Sequence, residues 1–242
     1  MMNSDLGKSF WGLFGFLQNL LMVRWRSLLI LLIGIFFPLL IFEQLAVAIR
    51  QNLEAFSWDK SLLIKVHAIA SPNLDRLASV LTHLGVFWGV FPVTLVVSLI
   101  LFRQQRWRSL IYLITTLLGS WFLCYVAKIL LHRERPHIWE AVSLPSDYSF
   151  PSGHAMSSMT LAVALVVLTW GSRWCQWALL IGSGYVLAIG WTRLYLGVHF
   201  PSDVLAGWMA SIAWTVGVRF LINPTVMQPC LEEETILPTS LE

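Results

Sequence analysis

Charge is what this chain has least of. Only 12% of its 242 residues are Asp, Glu, Lys or Arg, while 57% are hydrophobic; an ordinary soluble domain carries roughly 25% charged residues. A water-solvated fold of this length cannot hide so much apolar sequence, so the composition excludes one and makes the bilayer part of the solvent. Cysteine is scarce too. Cys124 lies in an apolar run, Cys175 in a short loop and Cys230 near the C-terminal end. No Cys-x-x-Cys pair exists, which excludes a zinc ribbon and a disulfide framework. The net charge is only +3 and no basic run is interleaved with aromatics, so no nucleic-acid partner is expected. What the chain has in quantity is Trp, thirteen of them, which suits interfacial belts at headgroup depth.

A helix that crosses a bilayer needs about 20 mostly apolar residues. Six segments qualify, at 27–49, 77–102, 107–131, 153–170, 176–198 and 202–222, which predicts an all-α, polytopic membrane fold with six transmembrane helices. The first has no small-residue cleavage site close behind it and reads as a retained anchor rather than a signal peptide. Before it, Phe10 to Leu17 resembles an interfacial helix. Residues 50–76 mix charge with periodic apolar positions (Leu53, Phe56, Leu62, Leu63 and Val66), as one or two amphipathic helices lying on the membrane would. Residues 1–222 form one integral-membrane domain with its chemistry between 128 and 203. The tail from Asn223, with Pro224, Pro229, Pro238 and Glu232 to Glu234, reads as mobile, cytoplasmic and non-catalytic.

Three short motifs interrupt the apolar background: Lys128-(x6)-Arg135-Pro136, Pro151-Ser152-Gly153-His154 and Arg193-(x5)-His199-(x3)-Asp203. Six crossings put all three on one membrane face. The opposite face carries Lys8, Arg24, Arg26, Arg103, Arg106, Arg108 and Arg173, against Arg50, Lys60, Lys65, Arg76 and Arg133 on the motif side once the motif cations are set apart. The positive-inside bias then places the termini in the cytoplasm and the motifs on the extracytoplasmic face of the plasma (inner) membrane.

Ionisable residues beside lipid are expensive and usually functional. Lys128 and Arg135 are seven residues apart, two helical turns, and Pro136 ends the third span near Arg135. For Arg133 the plainer reading is an interfacial cation that snorkels. Ser152 is a candidate N-cap, and Gly153 lets a backbone N–H meet an anion at a helix N-terminus. His154 adds a proton donor there. Asp203, four residues after His199 across a tight junction, can accept the Nδ1–H and leave Nε2 as a nucleophile. No Gly-x-Ser-x-Gly elbow competes with it. Lys128, Arg135 and Arg193 neutralise phosphate charge and repel a divalent ion. The nearby carboxylates, Glu134, Glu140, Asp147 and Asp203, have no recognisable ligand spacing. The expected chemistry therefore needs no metal and no cofactor. His67 and His83 read as packing or interfacial residues, His132 and His137 receive no role, and Trp139 and Tyr148 are candidate substrate contacts.

In order and spacing, these motifs resemble those of the type 2 phosphatidic acid phosphatase superfamily. It includes bacterial membrane lipid phosphatases of the phosphatidylglycerophosphatase B and undecaprenyl-diphosphatase kinds and, more distantly, vanadium haloperoxidases. The one departure is Thr192, where the family pattern has Ser; Thr keeps the hydroxyl. The resemblance implies that His199 attacks phosphorus to give a phosphohistidine, Asp203 orients it, and His154 protonates the leaving oxygen before water releases phosphate. It implies that Lys128, Arg135, Arg193, Ser152 and the Gly153 N–H bind the phosphoryl oxygens. The expected partners are the bilayer and a lipid phosphate: a polyprenyl diphosphate, phosphatidylglycerophosphate or phosphatidic acid. Phosphotransfer to a second lipid and non-catalytic lipid binding or transport are the competing functions. Oligomeric state is not encoded in any of these features.

Overall fold

The computed structural model describes Trp25 and residues 27–52, 56–137 and 147–225. Among these there are helices and no strands. The expected interfacial helix at 10–17, Leu53, Trp139, Glu140 and the tail beyond Thr225 lie outside the described residues.

Helix α1 (Phe37–Asn52) continues from a π-helical turn at Leu32–Phe36. It is followed by α2 (Ser57–His67), α3 (Pro72–His83), α4 (Phe87–Arg103), α5 (Trp107–Leu131), α6 (Gly153–Leu168), α7 (Trp174–Tyr195) and α8 (Pro201–Ile222). Local signals set several of these ends. Pro72 and Pro201 sit in the first turns of α3 and α8, where a missing N–H is harmless. Asp59 and Asp203 each occupy the third helical position and accept the N–H of the residue before their helix, Phe56 at 3.2 Å and Phe200 at 2.8 Å. That reach-back satisfies one of the orphan donors of a helix start.

Among the described residues, five stretches are long and apolar enough to cross a membrane: Ser27–Gln51, Pro72–Arg103, Trp107–Leu131, Trp174–Tyr195 and Pro201–Ile222. The fourth predicted segment, 153–170, forms a 16-residue apolar helix, α6, whose rise of about 24 Å falls short of a ~30 Å hydrocarbon core. Its position explains its brevity, because it packs on α5, α7 and α8 in the middle of the bundle. The second predicted span starts earlier than expected. Its apolar run begins at Pro72, and a turn at Leu84–Val86 divides it into α3 and α4.

Two buried clusters hold the bundle. One, away from the motifs, joins Leu101, Tyr112, Leu113, Ala164, Val167, Leu168 and Val218. The other, at the motif end, joins Ile49, Phe150 and Ala206, with Phe42, Phe56 and Leu131 against them. Between helices, small polar residues bond one another or backbone carbonyls. Thr160 donates to Ser120 at 2.8 Å, Ser211 to the Met156 carbonyl at 2.9 Å, and the Trp214 indole to the Thr116 carbonyl at 2.9 Å. Such bonds glue helices where apolar burial gives no driving force. The outer surface is correspondingly apolar, with Leu118, Trp121, Leu180 and Leu221 more than half exposed.

Gly119 is where α5 admits the Trp214 ring: a Cβ there would lie 2.2 Å from the indole. Gly119→Val should therefore overpack this crossing by roughly 1–3 kcal/mol, lowering the unfolding midpoint in detergent by about 2–10 °C. Gly184→Ala, with no neighbour among the described residues within 4 Å of the added carbon, should leave the midpoint in place. Equal midpoints for both variants would refute the close crossing.

Candidate active site

The motif residues meet at one end of the bundle, where α5 and α7 end and α6 and α8 begin. α5 stops at Leu131, four residues before Arg135, because His132 adopts a left-handed conformation (φ 46°). The two-turn spacing expected of Lys128 and Arg135 is therefore not what brings them together. Beyond His132 the chain is non-helical and its burial alternates: Arg133 and Arg135 are buried, His132 and Glu134 exposed. Lys128, in the last turn of α5, and Arg135 converge on Asp147, at 2.7 Å from Oδ2 and 2.5 Å from Oδ1. Lys128 also donates to the Tyr148 carbonyl, and Arg135 to the Asp147 and Val198 carbonyls at 3.0 and 2.6 Å. Arg193, at the buried end of α7, donates to Thr82 Oγ at 2.6 Å.

Ser152 is the residue before α6, as expected, but its side chain does not cap the helix. Its hydroxyl is buried and has no hydrogen-bond partner among the described residues, and the same holds for Arg193 Nε. The Ser152 N–H donates to the Asp203 carbonyl at 3.1 Å, tying the start of α6 to the start of α8. Gly153 has room around it, since among the described residues an added Cβ would meet only Cys124 Sγ at 3.6 Å. His154 packs against the α3–α4 turn, with Cδ2 3.0 Å from where a Cβ on Gly85 would stand, within electrostatic reach of Arg193, His199, Arg135 and Lys128.

His199 lies in the loop between α7 and α8 and is 2% exposed. Its Nε2 is 3.2 Å from Arg135 Nη1. Its Nδ1 does not meet Asp203 directly, for the gap to Oδ2 is 3.6 Å. Instead Ser149 Oγ stands 3.3 Å from Nδ1 and donates to Asp203 Oδ2. A hydroxyl that gives its proton to the carboxylate has lone pairs left for Nδ1–H, so Nε2 carries the free pair. Burial first, and then the charges of Arg193, Arg135 and Lys128, hold the His199 pKa well below 6.5. The ring is therefore neutral at ordinary pH, the form a nucleophile requires.

Arg133 is the clearest correction to the sequence reading. It does not snorkel: it is the largest fully buried side chain among the described residues, and it pairs with Asp59 at 2.8 Å and with Asp203. Asp59, Ser149 and Ser202 were missed as site residues. The available signal was an Asp in the first turn of a helix start, in a chain with only thirteen acidic residues. Thr192 donates its hydroxyl to the Ile189 carbonyl at 2.7 Å, so it serves its own helix. His132 contributes a helix cap and a ring contact with Tyr148 at 4.5 Å. Among the described residues, no three His, Cys, Asp or Glu gather as a metal-ligand set.

This geometry has relatives. The family model described as the PAP2 superfamily matches residues 109–225. The chain is 31% identical to the undecaprenyl-diphosphatase of Sulfolobus acidocaldarius over 187 residues, 75% of this chain and 82% of that one. The chain belongs to the PAP2 superfamily. It is also 31% identical to phosphatidylglycerophosphatase B of Bacillus subtilis over 174 residues, 69% of this chain and 84% of the relative. The crystal structure of a transmembrane PAP2-type phosphatidylglycerolphosphate phosphatase from Bacillus subtilis superposes with a TM-score of 0.66 at 27% identity. It covers 77% of this chain and 94% of that one. With these relatives and its apolar helices, the protein is a multi-pass membrane member of the PAP2 superfamily.

In this PAP2 site Asp147 holds two of the three motif cations. Burial alone would raise its pKa, but hydrogen bonds and charge from Lys128 and Arg135 hold it down to about 2. As a depressed acid, its pairing is fully present above the ordinary carboxylate range and is lost as pH falls toward 2. Between pH 5 and 8 it is a constant competitor for any anion on those cations. Asp147→Asn should lower the inhibition constant for inorganic phosphate by up to about fivefold, the scale of an exposed ion pair. Weaker phosphate inhibition in that variant would show that Asp147 helps hold the anion instead.

Proposed function

We propose that this chain hydrolyses the phosphate head of a membrane lipid by way of a phosphohistidine on His199. The observation that carries this reading is the ring environment of His199: neutral, with Nδ1 turned to Ser149 and Asp203, and Nε2 facing the cationic end of the site.

In the proposed reaction Lys128, Arg135 and Arg193 bind the phosphoryl oxygens, Asp147 giving way to the substrate. The Ser152 hydroxyl and Arg193 Nε, buried and unpartnered, each offer a donor to such an oxygen, as does the N–H of Gly153 at the start of α6. His199 Nε2 forms a bond to phosphorus as the bond to the leaving oxygen breaks, and His154, which takes up a proton as the anionic substrate offsets the cations around it, delivers that proton to the leaving oxygen. Water, losing a proton to His154, then attacks the phosphohistidine and frees inorganic phosphate. Such transfers depend mainly on positioning and on stabilising charge at the equatorial oxygens, which suits a ring of fixed cations.

Two relatives are named for undecaprenyl diphosphate and phosphatidylglycerophosphate, so a polyprenyl diphosphate and a phosphatidylglycerophosphate are the first substrates to offer. We place the site on the extracytoplasmic face of the plasma membrane, with α6 as a short sixth span. The loop Lys and Arg distribution supports that orientation.

Purified protein in detergent should release inorganic phosphate from a panel of lipid phosphates in the presence of chelator. Loss of activity with chelator would overturn the metal-free scheme. His199→Ala should lower kcat by about three orders of magnitude or more, as removal of a covalent nucleophile does, and wild-type turnover in that variant would reject it as the nucleophile. His154→Ala should slow substrates with poor leaving groups most. Equal losses across leaving groups would deny it the role of acid.

A further inference from the structure

Arg133 takes no part in the phosphate clamp, yet it is among the best-partnered charges of the described site. Its Nη2 donates to Asp59 Oδ2 at 2.8 Å, and its Nη1 donates to Asp203 Oδ1 and to Ser202 Oγ at 2.8 Å. The Phe200 ring covers the guanidinium at 4.4 Å. Ser202 completes the set, giving its N–H to Asp59 Oδ1 at 2.9 Å and its hydroxyl to Oδ2 at 2.6 Å. Asp59, Ser202 and Asp203 are wholly buried.

The same residue also fixes Ser149, whose N–H donates to the Arg133 carbonyl at 2.8 Å. Thus the backbone of Arg133 sets where the Ser149 hydroxyl stands, and its guanidinium sets where the Asp203 carboxylate stands. Those two groups are the ones that meet His199 Nδ1. α2, the helix that carries Asp59, has no other residue assigned to the site.

We propose that Arg133 and Asp59 are positioning residues for the nucleophile, and that Asp203 acts on His199 through the Ser149 hydroxyl rather than by direct contact. The proposal rests on the reading of His199 as nucleophile. When Nε2 takes the phosphoryl group the ring becomes cationic. Nδ1–H then bonds Ser149, Ser149 bonds Asp203, and the two carboxylates leave one net negative charge around the single Arg133 guanidinium. Removal of the Asp59 charge cancels it, so the cationic ring is less well supported. The other charged or titratable groups facing His199 are Lys128, Arg135, Asp147, His154 and Arg193, and none of them changes in the variants below.

Three variants of the full-length protein test this, assayed with a lipid phosphate by rapid quench, with the phosphoenzyme burst counting active sites. Asp59→Asn keeps the side-chain shape and loses the charge. Its kcat per active site should fall about tenfold or more with KM within about twofold, and the acidic limb of kcat against pH should move down by about half a unit or more. Asp59→Glu, which restores the charge, should return the limb to its wild-type position. Ser149→Ala leaves every ion pair intact and should show the same loss and the same direction of shift, so it serves where Asp59→Asn does not fold. Combined with Asp59→Asn, its loss should be less than additive. A purely structural role would lower the count of active sites and leave the limb in place. Unmoved limbs, or wild-type kcat in Ser149→Ala, overturn the proposal. If His199→Ala still turns over, the nucleophile reading itself has failed. If His199→Ala is inactive and the limbs are unmoved, only the positioning proposal has.

Discussion

The buried guanidinium of Arg133 is the constraint on which the rest of the site depends. Taking such a charge out of water costs several kcal/mol, and the attraction of its partners offsets that only when geometry is good; both terminal nitrogens of Arg133 are engaged, while its Nε has no partner among the described residues. Here the partners come from three separated stretches of chain. Asp59 arrives on α2, Ser202 and Asp203 on α8, and the Arg133 carbonyl receives Ser149 from the loop before α6. Removing either carboxylate would leave the buried guanidinium short of countercharge, so the start of α2, the start of α8 and the segment after α5 are fixed relative to one another. His199, between α7 and α8, inherits its position from that frame.

The frame also sorts charge by side. On the Nδ1 side of His199, two carboxylates outnumber one guanidinium. Arg135 meets Nε2, and Arg193 and Lys128 add positive charge within reach of the ring against the single Asp147. One ring thus faces opposite fields at its two nitrogens, which favours a proton on Nδ1 and an electron pair on Nε2. The two groups of cations behave differently for a physical reason. Arg133 has its charge offset within the fold. The other three are offset in part, by one half-exposed carboxylate, and so retain attraction for an anionic ligand.

Much of this was legible in the sequence where the cause was local. Apolar runs bounded by Arg103, Arg106, Arg173 and the proline-marked starts fix most helices to within a few residues, and the motifs fall at helix ends as hydropathy counting requires. What escaped depends on distant neighbours. Arg133 looks like an interfacial cation until Asp59, 74 positions away, and Asp203, 70 positions away, are placed beside it. Ser149 is one serine among several before α6 and becomes special only because Arg133 holds its N–H. The early end of α5 turns on a left-handed His132, a residue with only a mild tendency to that conformation, and the brevity of α6 reflects its place at the centre of the bundle. The turn at Leu84–Val86 carries Gly85 as its one cue.

The residue type that each motif supplies follows from helix polarity. At this end of an alternating bundle, α5 and α7 terminate while α6 and α8 begin. C-terminal turns favour cations and N-terminal turns favour anions or acceptors, through the partial charges of their unpaired carbonyls and amides. Lys128 and Arg193 accordingly ride on the closing turns of α5 and α7, and Asp203 on the opening turn of α8. The opening of α6 carries no acid. With Ser152, Gly153 and His154 there, no carboxylate occupies that turn to compete with an anion for its first amides. The helix ends thus match the charge type of the residues they carry, Lys128, Arg193 and Asp203. Arg133 and Arg135 stand outside this pattern, since both lie beyond the end of α5, and Arg133 draws its stability from the acids at two helix starts.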